Sequence, residues 1–252
     1  MNKISGIIIA KNEEEMISPA IKSLSFCDEV IIVDNGSTDR TKEISEKLGA
    51  LVYEIDTNDF SELRNFGLQK AKYDWIIYID ADERVDETLS ASIRKAVLNP
   101  TDYSAYYLKR KNFYFGNHEW PKIEKMERFF KKEKLKSWRG KIHETPDIDG
   151  KIGDLDGFLL HYTHRDLESM VSKTAEWSTT EALLRYNQNH PQMSWWRFPR
   201  VMITAFFDSY IKQKGFKAGA IGVIESIYQA FSAFITYAKL WEFQNLEKKI
   251  KK

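Results

Sequence analysis

The chain predicts an α/β fold: a doubly wound, mostly parallel sheet with added antiparallel strands and a helical C-terminal extension. Three observations carry that expectation. Short β-branched runs alternate with helix-like segments over the first hundred residues, the rhythm of parallel strands joined by right-handed crossovers. Beyond Asn99-Pro100 the rhythm gives way to aromatic residues in partial alternation, as in antiparallel strands. After His190-Pro191 tryptophans, phenylalanines and lysines lead into a long segment with apolar residues at helical spacing.

Taken in order, residues 4–10 are an apolar strand, and Asn12 precedes Glu13, Glu14 and Glu15, the acidic first turn expected of a helix through about Leu24. Residues 30–33 repeat the strand signal. They stop at Asp34-Asn35-Gly36-Ser37-Thr38-Asp39, turn formers that lead into a helix over about 40–48, closed by Gly49. A third strand over 51–55, a helix over 61–72 and a fourth strand over 76–79 follow, then a helix over 87–98. Antiparallel strands are expected over 103–114, 126–130, 135–138 and 158–162, with a loop over 140–157. A helix over 166–187 closes the globular part. The expected division is a catalytic domain over 1–189, with a nucleotide-binding half at 1–98 and an acceptor half at 99–189, and a helical extension over 190–252. That extension carries apolar residues at 224, 228, 231, 235 and 238. Its longest uncharged stretch, 226–238, is too short to span a bilayer, so a membrane-surface segment or a dimerisation surface is expected.

Bulk properties remove several classes. The chain has 252 residues, 42% of them hydrophobic, enough for a substantial core. Its 38 basic residues nearly cancel 37 acidic ones, so bulk electrostatics indicate no nucleic-acid partner. One cysteine, Cys27, excludes an intrachain disulfide framework and a multi-cysteine zinc site, which fits a reducing compartment. The apolar run at the start is too short for a signal peptide.

The strand over 76–79 ends in Asp80-Ala81-Asp82-Glu83. On a continuing strand Asp80 and Asp82 point to one face, where two carboxylates can hold a divalent cation; the alternative is a cap for the next helix. Asp34 and Asp80 close two parallel strands at equivalent positions, so both belong to one sheet edge.

Four stretches in order resemble the family 2 glycosyltransferases of GT-A fold. These are the first strand and its Asn-Glu-Glu turn over 7–14, Val33-Asp34-Asn35-Gly36-Ser37-Thr38-Asp39, Arg64-Asn65-Phe66-Gly67, and Asp80-Ala81-Asp82. Further on, Arg128-Phe129-Phe130, Trp138-Arg139-Gly140, His143-Glu144 and His161 resemble the lipopolysaccharide core β-glucosyltransferases. The resemblance implies an inverting transfer of a hexose from a nucleotide sugar, a UDP sugar above all, to a glycan or glycolipid acceptor. It implies an enzyme on the inner face of the cytoplasmic membrane, assisted by Mg2+ or Mn2+. Ala10, Asn12, Glu13, Asp34, Arg64 and Asp80 then face the nucleotide sugar, with Ile9 and Lys11 replacing the usual Pro and Tyr. Asp34 accepts a uracil imide N–H and Arg64 meets the diphosphate. Asp82, with Asp80 and His161, takes the cation; Glu83 is a bystander. Glu144 is the general base, with Asp147 and Asp149 as competitors, and His143 and Trp138 orient the acceptor. Two other readings stand beside it. One is a haloacid-dehalogenase-like phosphohydrolase using Asp80 and Asp82, although Arg84 replaces the Thr or Val that class wants. The other is a non-catalytic nucleotide-binding membrane scaffold.

Overall fold

All seven residues of β1 (Ile4–Ala10) are buried, as a strand covered on both faces requires. The structure is a computed structural model that describes residues 2–99, 102–140 and 144–250. Contacts divide the chain into two units, Met1–Lys111 with Ile123–His161, and Asn112–Lys122 with Tyr162–Lys252.

In the first unit β1 is followed by α1 (Ile17–Ser23), β2 (Glu29–Asp34), α2 (Thr41–Lys47), β3 (Leu51–Glu54), α3 (Phe60–Lys70) and β4 (Trp75–Asp80). Then come β5 (Glu83–Val85), α4 (Glu87–Leu98), β6 (Tyr103–Tyr114), β8 (Glu124–Lys131), β9 (Leu135–Arg139), β10 (Thr145–Ile148) and β11 (Lys151–Tyr162), while β7 (His118–Glu119), paired with the last residues of β6, belongs to the second unit. The sheet order is β3-β2-β1-β4-β8-β6-β11-β5. The first four strands are parallel and β8 joins β4 antiparallel. Period-two alternation sorts the core. Ile4, Ile8, Ile77 and Ile79 pack with Ile17 and Ile21 of α1 and Leu89 and Ile93 of α4. Ile7, Ile9, Ile76 and Tyr78 pack on the other face with Leu63 of α3 and with Leu135 and Trp138 of β9. Helices therefore cover both faces, as expected. Cys27 packs at the edge of the first cluster, and burial, with Asp28 beside it, pushes its thiol far above the ordinary range.

Gly67 sets how closely α3 lies on the sheet. A Cβ there would stand 2.7 Å from Ile7 Cγ2 and 3.2 Å from Val33 Cγ2. Gly67→Ala should gain about 1 kcal/mol in helix propensity. Overpacking should cost roughly 1–3 kcal/mol, so a net loss of up to about 2 kcal/mol is expected in urea unfolding. An unchanged midpoint would mean that α3 shifts freely.

Three local expectations differ from the structure. Helix α1 starts at Ile17, not at Glu13, because the backbone N–H groups of residues 12–14 donate to side chains of the loop after β2 and of the first residue of α2 rather than opening a helix. Strands β10 and β11 occupy much of the 140–157 stretch expected as loop. There Gly153 reads as a breaker, yet it sits in β11 where the Tyr103 and Tyr106 rings come within 3 Å of a Cβ position, an approach glycine permits. Strand β4 ends at Asp80, and a turn at 81–82 leads into β5, so Asp80 and Asp82 do not continue one strand.

The second unit holds α5 (Leu167–Asn187), α6 (Arg197–Phe207), a π-helical turn (Asp208–Lys212) and α7 (Gly219–Ile250). The expected boundary at 189/190 lies inside this unit, since α5 packs along α7. Asp166 and Ser169 cap α5 reciprocally. Tyr228 Oη of α7 donates to the Met170 carbonyl at 2.5 Å, and Lys239 Nζ to the Ala175 carbonyl at 2.7 Å. The buried positions of α7 include Glu225, Ser226, Thr236 and Leu240; of the expected apolar stripe Tyr228 is buried with them, whereas Ile224 and Phe231 are exposed. Helical spacing shows that a face exists; it does not show which face packs. By length and composition alone, Gly219–Asn245 is long and apolar enough to cross a membrane, a longer stretch than the uncharged 226–238 suggested. The two charges that bound the uncharged stretch are satisfied within the unit. Glu225 meets His164 Nδ1 at 2.9 Å, and Lys239 reaches α5.

Candidate active site

Strands β1, β2 and β4 end side by side, with Ala10 paired to Asp34 and Ile9 to Asp80. Winding proceeds from β1 to β3 and then restarts at β4 on the far side of β1. Such a reversal leaves a crevice outside the carboxyl ends.

Asp34 is buried at this edge. Its Oδ1 accepts the Ser37 N–H at 2.8 Å, while Oδ2 is buried with no hydrogen-bond partner among the described residues. Gly36, at φ +74°, lets the loop turn tightly enough for that bond. Asn12, at φ +54°, is spent on the same loop. Its N–H donates to Ser37 Oγ at 2.9 Å and its Oδ1 accepts the Thr38 N–H at 2.7 Å. The Glu13 N–H donates to Thr41 Oγ1 at 2.8 Å, and the Ala10 carbonyl accepts the Asn35 N–H at 2.9 Å. Ala10, Asn12 and Glu13 thus build the wall in which Asp34 sits.

Arg64, one turn before Gly67 on α3, is 2% exposed, with its guanidinium carbon 5.0 Å from the Trp138 ring centroid and 5.8 Å from that of Tyr78. Its Nε donates to Glu144 Oε1 at 2.5 Å and its Nη2 to Asp80 Oδ1 at 3.1 Å. Arg128 of β8 stands 3.6 Å from Asp80 Oδ2 and 4.0 Å from Glu144 Oε1. Two partly buried acids and two buried guanidiniums, brought from 80 residues apart, form one group. Desolvation acts to raise the Asp80 carboxyl, but Arg64 and Arg128 override it and hold it well below the usual range. Desolvation, then repulsion from Arg64, pushes the Arg128 guanidinium below its ordinary value. Arg64 Nη1 and Arg128 Nε are buried donors without partners among the described residues. An unmet buried N–H costs about 1–3 kcal/mol, which an anionic ligand can recover.

The expected metal residues separate. Both Asp80 oxygens lie against arginines, whereas Asp82 Oδ2 lies 3.3 Å from His161 Nε2, brought there by the β5–β11 pairing. Desolvation works to lower the His161 imidazole and Asp82 outweighs it, raising it above its ordinary value. Among the described residues no group of three or more His, Cys, Asp or Glu is placed to hold a metal ion. One carboxylate and one imidazole still fit a cation that takes its remaining ligands from a diphosphate and water.

Trp138 stands apart from the acceptor-orienting role expected of it. At 3% exposure it is wedged edge-on between Tyr78 and Phe130, and it buries Arg64 instead of offering a face to a sugar. His143 lies outside the described residues. Asp147 of β10 is tied to Arg139 of β9 at 2.5 Å, and Asp149, just after β10, stands 4.0 Å from Lys134, just before β9. Glu83 is no bystander: fully buried, it accepts the Asp80 N–H at 2.9 Å and pairs with Arg110 at 2.9 Å, holding the strand end in place. Arg128 and Asn65 carry more than the sequence reading gave them. Asn65 pins α3 to β9 through both the Trp138 N–H and carbonyl. The available signal for Arg128 was a charge inside the apolar alternation of a strand.

A family description, Glycosyl transferase family 2, matches residues 5–148. The chain belongs to this family. It is 34% identical to an uncharacterized glycosyltransferase of Rickettsia typhi, over 96% of this chain and 88% of that protein. It is 26% identical to the lipopolysaccharide core biosynthesis glycosyltransferase LpsC of Rhizobium meliloti, over 95% and 92%. In fold it resembles the crystal structure of S. aureus TarS in complex with UDP-GlcNAc, with a TM-score of 0.51 at 16% identity, covering 97% of this chain and 92% of that one. The fold is therefore GT-A, and family 2 membership overturns the phosphohydrolase alternative: in this glycosyltransferase Asp80 is clamped by two guanidiniums rather than open for attack.

Proposed function

We propose that this family 2 glycosyltransferase moves a hexose, with inversion, from a UDP sugar to a glycolipid acceptor of the lipopolysaccharide core type, assisted by Mg2+ or Mn2+ at the inner face of the cytoplasmic membrane. The observation that carries the reading is the buried pair Arg64 and Arg128, each with an N–H unmet among the described residues, lying between Asp80 and Glu144. A diphosphate supplies the acceptors those donors lack. The unpartnered Asp34 Oδ2 suits the imide N–H of uracil, a bond cytosine cannot make because its ring N3 carries no proton. The LpsC relative, matched over most of both chains, supports the acceptor class, and the exposed apolar face of α7 supports peripheral membrane contact.

In the proposed reaction the acceptor oxygen attacks the anomeric carbon as the bond to the leaving diphosphate oxygen breaks on the opposite side. Glu144 takes the acceptor proton. Its Oε1 is occupied by Arg64, so Oε2 is the receiving atom. Arg64 and Arg128 bind the departing diphosphate. Asp82 and His161 are the residues that would hold the cation, which when bound neutralises charge on the leaving group.

Asp82→Ala should lower cation-dependent turnover by about 100-fold or more, measured as UDP released against Mg2+ or Mn2+ concentration. Undiminished cation-dependent turnover in that variant sinks the cation assignment. Nucleotide binding with no transfer or hydrolysis in the unaltered protein, across a panel of nucleotide sugars, would favour the scaffold reading instead.

A further inference from the structure

The second unit contains a cavity of about 590 Å3 whose lining includes Met193, Val201, Ala205 and Ala233 together with Arg197 and Arg200. The two guanidiniums stand 5.4 and 5.9 Å from the Trp196 ring centroid, and Arg197 Nη1 reaches the Pro191 carbonyl at 3.3 Å. Neither pairs with a carboxylate among the described residues. Asp208, the carboxylate in the lining, is already engaged by Lys212 at 2.8 Å and Gln213 at 3.2 Å. Residues 190–217 carry five Lys or Arg against one Asp, and Trp195 within them is 83% exposed. Exposed apolar residues continue along the same helices, with Ile203 and Phe207 on α6 and Ile227 on α7.

We infer that this cavity seats the headgroup of an acidic phospholipid: its phosphate on Arg197 and Arg200, its glycerol and upper acyl chain along the apolar wall. The exposed side chains of α6 and α7 rest in the interface of the same leaflet. Uncompensated guanidiniums beside an apolar recess match a ligand that is anionic at one end and apolar at the other, and basic pockets recognise lipid headgroups in this manner. Interfacial tryptophan and an exposed apolar helix face supply attraction that does not depend on lipid charge. The inference rests on the membrane-surface reading above and not on the transfer chemistry.

The test is sedimentation of the full chain with vesicles of phosphatidylcholine alone and of phosphatidylcholine with phosphatidylglycerol. Binding to the anionic vesicles should be about tenfold tighter. Arg197→Gln combined with Arg200→Gln should abolish that preference. Ala205→Leu, which fills the cavity and leaves every charge in place, should abolish it too. Lys214→Gln combined with Lys217→Gln removes the same charge outside the cavity and should keep most of it. Nucleotide-sugar hydrolysis without acceptor should stay unchanged in all three, which verifies folding. An equal loss in the lysine and arginine variants, or an unaltered preference in Ala205→Leu, overturns the cavity in favour of diffuse attraction. Inorganic phosphate bound at the arginines with no vesicle preference overturns it in favour of a free-anion site. Absence of binding to either vesicle overturns the membrane-surface reading along with it.

Discussion

Glu144→Gln is expected to lower the rate of sugar transfer about 1,000-fold while UDP binds within about threefold of its original affinity. The substitution keeps a carbonyl oxygen to accept the Arg64 Nε–H, so the 2.5 Å contact has a replacement and α3 stays in place. What disappears is the capacity to take a proton. A turnover assay with acceptor, beside calorimetric titration with UDP, separates the two effects. Loss of UDP binding would make Glu144 a support for Arg64 alone, and transfer within tenfold of the original would exclude it as the base. Asp147→Asn and Asp149→Asn serve as controls. Each acid is held by a basic residue of its own ribbon, so each variant should retain activity within about twofold.

The features that could be read from the chain are the local ones. A strand such as Ile4–Ala10 declares itself through an unbroken apolar run, and Asp34 through its place between that pattern and a turn. Once the order of strands is granted, Asp34 and Asp80 must share an edge, and they do. What could not be read depends on pairings distant in sequence. Nothing near Arg128 announces that β8 lies beside β4, and nothing near Glu83 announces that Arg110 reaches it from β6. The Asp80-Ala81-Asp82 spacing suggested one bidentate site because a continuing strand was assumed. The turn at 81–82 sends Asp80 to the arginines and Asp82 to His161. The place of Trp138 is illegible for a related reason. Aromatic residues serve cores and sugar platforms equally well, and only the fold brings Tyr78, Phe130 and Arg64 around this one. Helix α7 shows the same limit, since its spacing was legible and its buried face, lined by Glu225 and Ser226, was not.

Arg64→Met should have the largest combined effect. The side chain is 2% exposed and joins Asp80 to Glu144, so its removal leaves two partly buried carboxylates with Arg128 as their shared cation. Breaking a buried pair by deleting one partner costs about 3–5 kcal/mol, and methionine recovers only the apolar contact with Trp138 and Tyr78. Urea unfolding should report that loss at neutral pH, and the difference from the unaltered protein should shrink in acid, where Asp80 is protonated in both. The Asp80 carboxyl is held below its ordinary value in the folded protein. Its contribution to stability is therefore present above the ordinary carboxylate pKa and fades as pH falls through the depressed folded value. With Arg64 gone the folded value rises, so the variant has less of this stability to lose and its unfolding curve responds less to acid. Donor binding should suffer independently of folding. Arg64→Lys keeps one positive charge, yet a single ammonium cannot span Glu144 and Asp80 as Nε and Nη2 do. That variant should fold with a smaller loss than Arg64→Met and still raise KM for the nucleotide sugar by about tenfold or more, with kcat less affected. A folded Arg64→Lys protein with unaltered KM would limit Arg64 to holding Asp80 and Glu144 in place and would move the diphosphate contact to Arg128.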